Sequence, residues 1–403
     1  MIDFSVPPEL EAVRARVAAF VRDEVLPAEA SAGDEGVEPV VDRLRDRARA
    51  AGLWTPHLPP EWGGMGLGSV GMALVSQELG ASALASLALN AMAPDEGNMH
   101  LLFDAGTPAQ KERYLKPLAA ADVRSCFAMT EKDVASSDPA QLRTRARRDG
   151  SGWMIDGEKW FVSGAAGAAF AIVVALTHPE EEKPHRRYSL FIVDTDNPGW
   201  TVIREIPVMG SPGPGGHCEV RLERCRVGGD AMVGRPGQGF ALSQRRLARG
   251  RIGHAMRWIG LSQRALDLAA ARALERRAFG KRLAEHQAIQ WMLADSAIEL
   301  HAARLMVLHG AWKIDRGLDH RREISMIKVV VAEALGRIVD RALQVHGALG
   351  ISEETPLARF YQDARAARIY DGPSEVHRMA IARGLLRSFL ASGTTRDHTG
   401  GPA

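Results

Sequence analysis

The segment FAIVVAL at residues 170–176 is the stretch of sequence on which the prediction of the fold depends. A continuous apolar run of this length, in a region rich in glycine and proline, is typical of a β-strand. Other strand-like runs lie on both sides of it, at 153–155, 159–162, 188–193, 200–206 and 217–227. Short strands at this spacing predict a middle domain of antiparallel β-structure over residues 123–238.

One pair of residues predicts a turn within this region. Asp156-Gly157 stands between the strand-like runs 153–155 and 159–162. Asp-Gly favours a two-residue turn with positive φ angles at both positions. We therefore expect the two runs to form a β-hairpin around this pair.

On both sides of the strand-rich region the apolar residues repeat with the period of an α-helix. On the N-terminal side, helical runs cover 10–25, 40–51 and 70–79. The residues Thr107-Pro108-Ala109-Gln110 have the pattern of a capping box at the start of a further helix. On the C-terminal side an apolar stripe runs from Ile327 to Ala342, and several long helices predict a four-helix bundle.

The chain is therefore predicted to be an α+β protein with several domains. We expect an N-terminal α-helical domain at 1–122, the middle antiparallel β domain at 123–238, a C-terminal four-helix bundle at 239–390 and a flexible tail at 391–403. The length of 403 residues suits more than one domain. The composition, 46% hydrophobic and 25% charged, is that of an ordinary folded protein.

Three features of the sequence indicate a cytoplasmic protein. The longest apolar or small stretch, 164–176, is too short to span a bilayer. The N-terminus MIDFSVPPELE has neither the basic start nor the apolar run of a signal peptide. The three cysteines, Cys126, Cys218 and Cys225, have no metal-ligand spacing and cannot all pair. We therefore expect a reduced setting, no membrane partner and no metal site.

The net charge of +2 is unevenly distributed along the chain. From Phe240 to the end there are 26 Lys and Arg against 16 Asp and Glu, a balance of +10, so the preceding part carries 25 against 33, a balance of −8. A basic C-terminal half suits an anionic partner such as cofactor phosphates, coenzyme A or nucleic acid. A solvated, arginine-rich helix surface explains the same numbers.

Several familiar catalytic motifs are excluded. Residues 66–71 match G-x-G-x-x-G, but no strand precedes them, so a glycine-rich loop entering a helix is the better interpretation. The sequence contains no G-x-S-x-G, H-E-x-x-H or C-x-x-C motif, which leaves a serine hydrolase or a zinc enzyme without support. The 13 histidines show no ligand spacing.

Four other segments suggest chemistry: FAMTE at 127–131 with ASSD at 135–138, KWFVSG at 159–164, RRAFGK at 276–281 with His286-Gln287, and IYDGPSE at 369–375. In this order, on an α–β–α layout, they resemble the acyl-CoA dehydrogenase family. The resemblance extends over nearly the whole chain through PEWGGMGLG, FAMTE, GEKWFVSG, RRAFGK, EHQAI, QVHGALG and YDGPSEVHR. The segments MTEKDVASSD, ARGRIGHAMR and DGPSEVH are most similar to those in the branch of family members ten and eleven.

The resemblance implies an FAD-dependent acyl-CoA dehydrogenase. Such an enzyme desaturates an acyl-CoA thioester between the α and β carbons and passes the electrons to an electron-transfer flavoprotein. A weakly acidic proton and a hydride must leave, so the site needs a positioned base, a donor for enolate charge and a flavin. By resemblance Asp371, which precedes Gly372, is the base, and its backbone N–H holds the thioester carbonyl beside a ribityl hydroxyl of the flavin. Arg246 matches a family arginine beside the base.

The candidate base departs from the usual family pattern, which has Glu at this position. Asp is shorter by one C–C bond, about 1.5 Å. We therefore expect the backbone or the acyl group to compensate, which suggests a branched or substituted acyl chain. Arg245 occupies the position on the preceding helix where some family members carry their base.

The resemblance also assigns residues to FAD. Those expected to line the flavin and its pyrophosphate are Phe127, Met129, Thr130, Ser137, Phe161 and Ser163. Those expected to contact the FAD of a neighbouring subunit are Arg276, Phe279, Gln287, Gln344 and Gly347. Because one cofactor would then touch two chains, a homodimer or homotetramer is implied.

Two other functions are compatible with these residues. A flavin oxidase acting on nitroalkanes has the same fold and also uses Asp as its base, and it would consume oxygen without an added acceptor. A flavin-containing nucleic-acid-binding relative would explain the basic C-terminal half, but such relatives carry an additional C-terminal domain. We therefore expect no nucleic-acid partner.

Overall fold

The computed structural model describes residues 5–210 and 213–392. Most of the predicted tail, residues 393–403, lies outside the described residues. Its first two positions, 391 and 392, belong to the last helix, which ends at Ser392. No helix in the described part of the chain is both long and apolar enough to cross a membrane.

The N-terminal region is helical, as predicted. Its α-helices are α1 (Pro8–Phe20), α2 (Leu26–Glu35), α3 (Val37–Ala50), α4 (Ser69–Leu79), α5 (Ala83–Ala88), α6 (Asp95–Ala105), α7 (Pro108–Gln110) and α8 (Lys116–Ala120). Single π-helical turns at Val21–Val25 and Lys111–Leu115 join α1 to α2 and α7 to α8. The predicted capping box is confirmed, since Thr107 Oγ1 accepts from Gln110 N and Gln110 Oε1 accepts from Thr107 N.

The middle region forms one sheet of eight strands within the described residues. The strands are β1 (Ser125–Ala128), β2 (Arg145–Asp149), β3 (Gly152–Ser163), β4 (Phe170–Leu176), β5 (Tyr188–Asp194), β6 (Trp200–Glu205), β7 (His217–Val227) and β8 (Met232–Val233). Their order is β6-β7-β3-β2-β4-β5-β8, with β1 beside β4. Most pairs are antiparallel, as predicted, but β1 and β2 each pair with β4 in parallel.

The predicted hairpin at Asp156-Gly157 is wrong. Both runs belong to the single strand β3, which pairs along its length with β7. The register shifts between Ile155 and Gly157, and Gly157 has φ +152°, so the pair forms an irregularity within a strand. A Cβ on Gly157 would lie 2.7 Å from Thr144 Cα, which explains the glycine without a turn. The chain reverses instead at Gly150, between β2 and β3.

The C-terminal region is a helical bundle. Its α-helices are α9 (Gly239–Glu275), α10 (Gln287–Asp315), α11 (Arg321–His346), α12 (Leu357–Ala367) and α13 (Ser374–Ser392). A small antiparallel pair, β9 (Arg277–Ala278) and β10 (Lys281–Arg282), lies between α9 and α10. The predicted stripe on α11 is buried, including Ile327, Val331, Leu335, Ile338 and Ala342 in the core of the bundle.

Helix α9 connects the bundle to the N-terminal helices. A Cβ on Gly80 would lie 2.1 Å from the Arg257 carbonyl oxygen, and a Cβ on Gly260 would lie 1.9 Å from that of Gln77. Only glycine permits so close an approach of two backbones, so α4 and the middle of α9 pack tightly. The middle of α9 therefore faces the N-terminal helices, and its C-terminal part lies in the bundle.

Candidate active site

Asp371 lies in the short loop between α12 and α13, and hydrogen bonds hold the backbone of this loop. Asp371 has φ +57° and Gly372 has φ +93°. The Asp371 carbonyl accepts from Arg251 Nε at 3.0 Å and from His377 Nε2 at 3.2 Å, and the Gly372 carbonyl accepts from Lys328 Nζ at 3.0 Å. A Cβ on Gly372 would lie 2.9 Å from His377 Nε2. These contacts explain both the glycine and the unusual backbone of its neighbour.

The Asp371 carboxylate faces α9. Its Oδ2 lies 3.3 Å from His254 Nε2, and 21% of the Asp371 side chain is exposed. The other ring nitrogen of His254, Nδ1, lies 3.3 Å from Arg257 Nη2. Burial and, to a smaller extent, the charge of Arg257 lower the pKa of His254 to about 4. His254 is therefore neutral at physiological pH.

Arg246 is held beneath this site by groups from α6 and β1. Its Nε donates to Asn98 Oδ1 at 2.9 Å and its Nη2 donates to the Pro94 carbonyl at 3.1 Å. The guanidinium lies 4.2 Å from the centre of the Phe127 ring. Burial lowers the pKa of Arg246 to about 10, and the charge of Asp371 opposes this shift. Arg246 thus stays cationic at neutral pH and acts on Asp371 through its charge.

A second layer of buried polar groups joins α6 to β1. Asp95 Oδ1 accepts from Ser125 N at 2.8 Å and from Ser125 Oγ at 2.6 Å, and Asn98 Nδ2 donates to the same Oγ at 2.9 Å. Burial raises the pKa of Asp95 to about 6. Because Asn98 also accepts from Arg246, this layer fixes the position of the Arg246 guanidinium.

No motif in the sequence assigned a role to the polar residues that lie around Asp371 and Arg246. These are Asp95, Glu96, Asn98, Arg251, His254, Arg257 and Lys328. The signals were present: DEGN at 95–98 opens α6, and RGRIGHAMR at 249–257 runs along α9. In the sequence both segments have the pattern of an ordinary helical surface. The structure shows that they meet, because α6 packs against α9.

The predicted flavin residues lie at the ends of β1 and β3. Trp160 N donates to the Thr130 carbonyl at 2.8 Å, and Thr130 Oγ1 donates to the Trp160 carbonyl, so the two segments are joined. Phe161 follows with φ +52° and is 46% exposed. Ser163 Oγ lies 2.9 Å from His217 Nδ1. The structure therefore brings together Thr130, Phe161 and Ser163.

A buried ion pair supports the segment after β1. Lys159 Nζ lies 2.8 Å from Glu131 Oε1 and donates to the Met129 carbonyl at 3.0 Å. Burial would raise the pKa of Glu131, but Lys159 holds it below its ordinary value. Ser137 lies in the exposed loop that follows, whose base is closed by the hydrogen bond from Glu131 N to Ser136 Oγ at 2.9 Å.

The remaining predicted residues form a separate, exposed group at one end of the bundle. Arg276, Phe279 and Gln287 lie around the β9–β10 turn, and Gln344 and Gly347 lie at the end of α11. Phe279 is 97% exposed and has φ +52°. Arg276 follows the last residue of α9, about 33 Å along the helix from His254 at 1.5 Å per residue. The structure therefore does not bring this group together with Asp371 of the same chain.

Models of three domains match the chain in the order of its structural regions. The N-terminal domain of acyl-CoA dehydrogenases matches residues 7–122, the middle domain matches 126–225 and the C-terminal domain matches 237–386. The chain belongs to the acyl-CoA dehydrogenase family. The fold predicted from this resemblance is confirmed, and the protein is an oxidoreductase.

Individual acyl-CoA dehydrogenases are similar over nearly the whole chain. The probable acyl-CoA dehydrogenase FadE2 of Mycobacterium tuberculosis is 40% identical over 98% of this chain and 100% of its own length. Acyl-CoA dehydrogenase family member 11 of Mus musculus is 39% identical over 95% of this chain, which spans 51% of that protein. The predicted branch of members ten and eleven is thereby confirmed.

A solved structure shows the same architecture. Butyryl-CoA dehydrogenase from Megasphaera elsdenii superposes with a TM-score of 0.84 at 27% identity, covering 96% of this chain and 100% of its own. The acyl-CoA dehydrogenase fold is thus shared over the full described bundle and sheet.

Proposed function

We propose that this acyl-CoA dehydrogenase uses FAD to desaturate an acyl-CoA thioester between its α and β carbons, with Asp371 as the base. The observation that carries the proposal is the placement of Asp371. Its carboxylate is partly exposed, its backbone is held by Arg251 and His377, and Arg246 supplies a buried positive charge nearby. A carboxylate that is held in a fixed position and is accessible to the substrate suits the removal of a weakly acidic proton.

In this proposal, residues of the chain remove the α proton and stabilise the enolate charge. The Asp371 carboxylate accepts the α proton, and its partial exposure leaves it accessible to a substrate. The N–H groups of Asp371 and Gly372 have no acceptor among the described residues, so either can donate to a thioester carbonyl and stabilise enolate charge. FAD, when bound, supplies the hydride-accepting ring.

Several features of this chain fit a flavin. Trp160 Nε1 is buried and has no hydrogen-bond partner among the described residues, and the neighbouring Phe161 ring is exposed. The Thr130 hydroxyl donates to the carbonyl of Trp160, the residue before Phe161, and the Ser163 hydroxyl contacts His217 Nδ1. A hydroxyl retains acceptor lone pairs while it donates. We propose that Phe127, Met129 and Ser137 complete the same site on one subunit.

We further propose that the exposed group around Phe279 binds the FAD of a neighbouring subunit in a homodimer or homotetramer. An aromatic side chain that is 97% exposed on a well-formed turn is suited to contact another molecule. Helix α10 adds a second exposed feature. Its apolar side chains at seven-residue intervals, each between 41% and 66% exposed, are Trp291, Ile298, Leu305 and Trp312. A stripe with this period suits helix packing between copies.

The electron acceptor and the compartment belong to the same proposal. We propose an electron-transfer flavoprotein as the acceptor. A reduced, cytoplasmic setting is supported by the cysteines, which are buried and form no disulfide in the described part of the chain. We propose a branched or substituted acyl chain, since Asp371 is shorter than the usual Glu.

The test is anaerobic bleaching of the bound flavin by a panel of acyl-CoA esters that includes branched and hydroxylated chains. The purified protein is expected to be yellow, and at least one ester is expected to bleach it at a saturable rate. Colourless protein that takes up no added FAD would remove the cofactor from the proposal. Yellow protein that no ester bleaches would remove the substrate class.

The use of Asp as the base also suits a nitroalkane oxidase, so the same preparation should be tested with nitroalkanes in an oxygen electrode. Oxygen uptake with nitroalkanes, together with no bleaching by acyl-CoA esters, would favour that alternative.

The surface of the bundle gives little support for a role in nucleic-acid binding. Several of its arginines are already paired with carboxylates, such as Arg337 with Glu299 and Arg378 with Glu333.

A further inference from the structure

A chain of polar contacts leads from Asp371 into the N-terminal helices. Asp371 Oδ2 lies 3.3 Å from His254 Nε2, and His254 Nδ1 lies 3.3 Å from Arg257 Nη2. Arg257 Nη1 in turn lies 3.3 Å from Glu96 Oε2 and donates to the Ala91 carbonyl at 3.2 Å. The contacts therefore join α6, α9 and the loop before α13, which are far apart in sequence.

The arginine determines which nitrogen of His254 carries the proton. A guanidinium can only donate hydrogen bonds, so His254 Nδ1 must accept from Arg257. In a neutral imidazole the other nitrogen, Nε2, then bears the hydrogen, and this nitrogen lies 3.3 Å from Asp371 Oδ2. Glu96 and the Ala91 carbonyl hold the guanidinium in place, so this tautomer is set by packing in the N-terminal helices.

The charges around the ring keep His254 neutral. Burial lowers its pKa to about 4, and the cationic groups of Arg257, Lys328 and Arg246 act in the same direction. The negative charge of Asp371 opposes them but is outweighed. Of the other titratable groups packed here, Arg251 and His377 bind the Asp371 carbonyl, and Glu96 binds Arg257. The Tyr370 ring packs edge-on against the His254 ring, with 5.5 Å between ring centres, and its hydroxyl accepts from Trp258 Nε1.

His254 is distinguished from these neighbours by the atom that it contacts. Arg251 and His377 bind the carbonyl of Asp371, and Lys328 binds the carbonyl of Gly372. Among the described residues, His254 is the side chain that lies against a carboxylate oxygen of Asp371. Because it occupies Oδ2, the second carboxylate oxygen remains for the substrate.

We propose that His254 is the positioning residue of this enzyme, a neutral Nε2–H donor that orients the short Asp371 carboxylate and stabilises its ionised form. The inference rests on the proposed role of Asp371 as the base. In this proposal the Glu96–Arg257 pair fixes the tautomer of His254.

The first experiment compares His254→Leu with His254→Gln in the FAD-loaded enzyme, using an ester that bleaches the wild-type flavin. A glutamine amide offers an acceptor and a donor on adjacent atoms, so it can replace both ring contacts. We expect His254→Leu to lower kcat about 100-fold, the scale of a 1 Å misplacement of a reacting group. We expect His254→Gln to stay within about tenfold of the wild type, and KM to change little in both variants.

The pH profile separates positioning from a merely structural role. Removing a donor from a carboxylate disfavours its charged form. The acidic limb of the kcat/KM profile should therefore move to higher pH in His254→Leu and stay near the wild-type position in His254→Gln. Loss of bound FAD or of thermal stability in His254→Leu, with an unchanged acidic limb, would overturn the proposal.

A second measurement does not depend on turnover. In holoenzyme labelled with ¹⁵N-histidine, with His254→Gln used to assign the signal, His254 should show a protonated Nε2 and an unprotonated Nδ1 from pH 6 to 9. An Nδ1–H tautomer, or titration within this range, would overturn the inference. If instead Asp371→Asn retained turnover, the assignment of the base would fail while the tautomer of His254 was still decided by the NMR result.

Discussion

The Asp371 site and the exposed end of the bundle around Phe279 differ in how firmly other side chains hold their residues. Asp371 is held by side chains from α9, α11 and α13, and Arg246 beneath it is held by α6. The residues around Phe279 are exposed and come from one short turn and two helix ends. The first group is held by contacts within one chain, whereas the second is proposed to contact the FAD of a neighbouring subunit.

This difference has a physical reason and a consequence for experiments. Buried charges are tolerated only when other groups compensate them, so a change in the Asp371 site should affect its neighbours. Exposed residues have few neighbours, so a change around Phe279 should affect binding alone. The four substitutions below test this contrast, beginning with the largest expected effect.

Asp371→Asn should lower substrate-dependent flavin reduction about 1,000-fold while FAD stays bound, because removal of a general base costs roughly 10²–10⁴ in rate. Anaerobic stopped-flow spectroscopy measures the rate, and the flavin spectrum measures the bound cofactor. The matched control is Asp319→Asn, an exposed aspartate paired with Arg321, which should leave the rate unchanged. Comparable rates in Asp371→Asn and wild type would place the base elsewhere.

Arg246→Met should destabilise the protein by about 1–3 kcal/mol, because it leaves Asn98 Oδ1 without its donor and removes one of the two donors of the Pro94 carbonyl. The rate of flavin reduction should fall as well. Urea denaturation measures the free energy of unfolding. Arg249→Met is the control, since Arg249 is 40% exposed in its pair with Asp104 and should cost less than about 1 kcal/mol. Equal losses in the two variants would contradict the contrast between buried and exposed groups.

Arg276→Ala should weaken FAD binding about tenfold, the scale of one lost charge-assisted hydrogen bond. It should change the free energy of unfolding by no more than about 0.5 kcal/mol, since Arg276 is exposed. Fluorescence titration of the apoprotein with FAD measures the Kd. The neighbouring Arg277→Ala, which removes a contact to the Gly280 carbonyl, is the control. Unchanged FAD binding in Arg276→Ala would remove this end of the bundle from the cofactor site.

Asp95→Asn should change the pH dependence of stability by up to about 3 kcal/mol, since each tenfold change in proton affinity is worth about 1.4 kcal/mol and the pKa of Asp95 rises from 3.8 to about 6. Burial raises the pKa of Asp95 to about 6, above the ordinary value, so the folded state binds the proton more tightly. The contribution of Asp95 to stability is therefore present below its unfolded pKa and is lost as the pH rises through about 6. Relative to the wild type, Asp95→Asn should gain stability between pH 4 and pH 7. Parallel unfolding curves over this range would show that Asp95 is not buried as described.

Prediction from the sequence succeeded where local pattern and physics agree. The apolar period of α11, the capping box at Thr107 and the strand β4 depend on neighbours in the chain, and each was confirmed. The hairpin at Asp156-Gly157 failed because Gly157 is required by the close approach of Thr144, which immediately precedes β2. The sequence shows the same glycine whether the residue lies in a turn or in a strand irregularity. Only the segments that pack against it distinguish the two cases.

The amino-acid sequence alone determined the order of the three regions, the family and the identity of the candidate base, because these depend on periodicity and on motifs of adjacent residues. Only the tertiary structure decided what surrounds that base. His254, Arg257 and Glu96 are ordinary helical residues in the sequence, and they become one polar chain because α9 crosses against the N-terminal helices. The tautomer and the charge of His254 follow from this crossing, since burial and a donor-only arginine act on it through space.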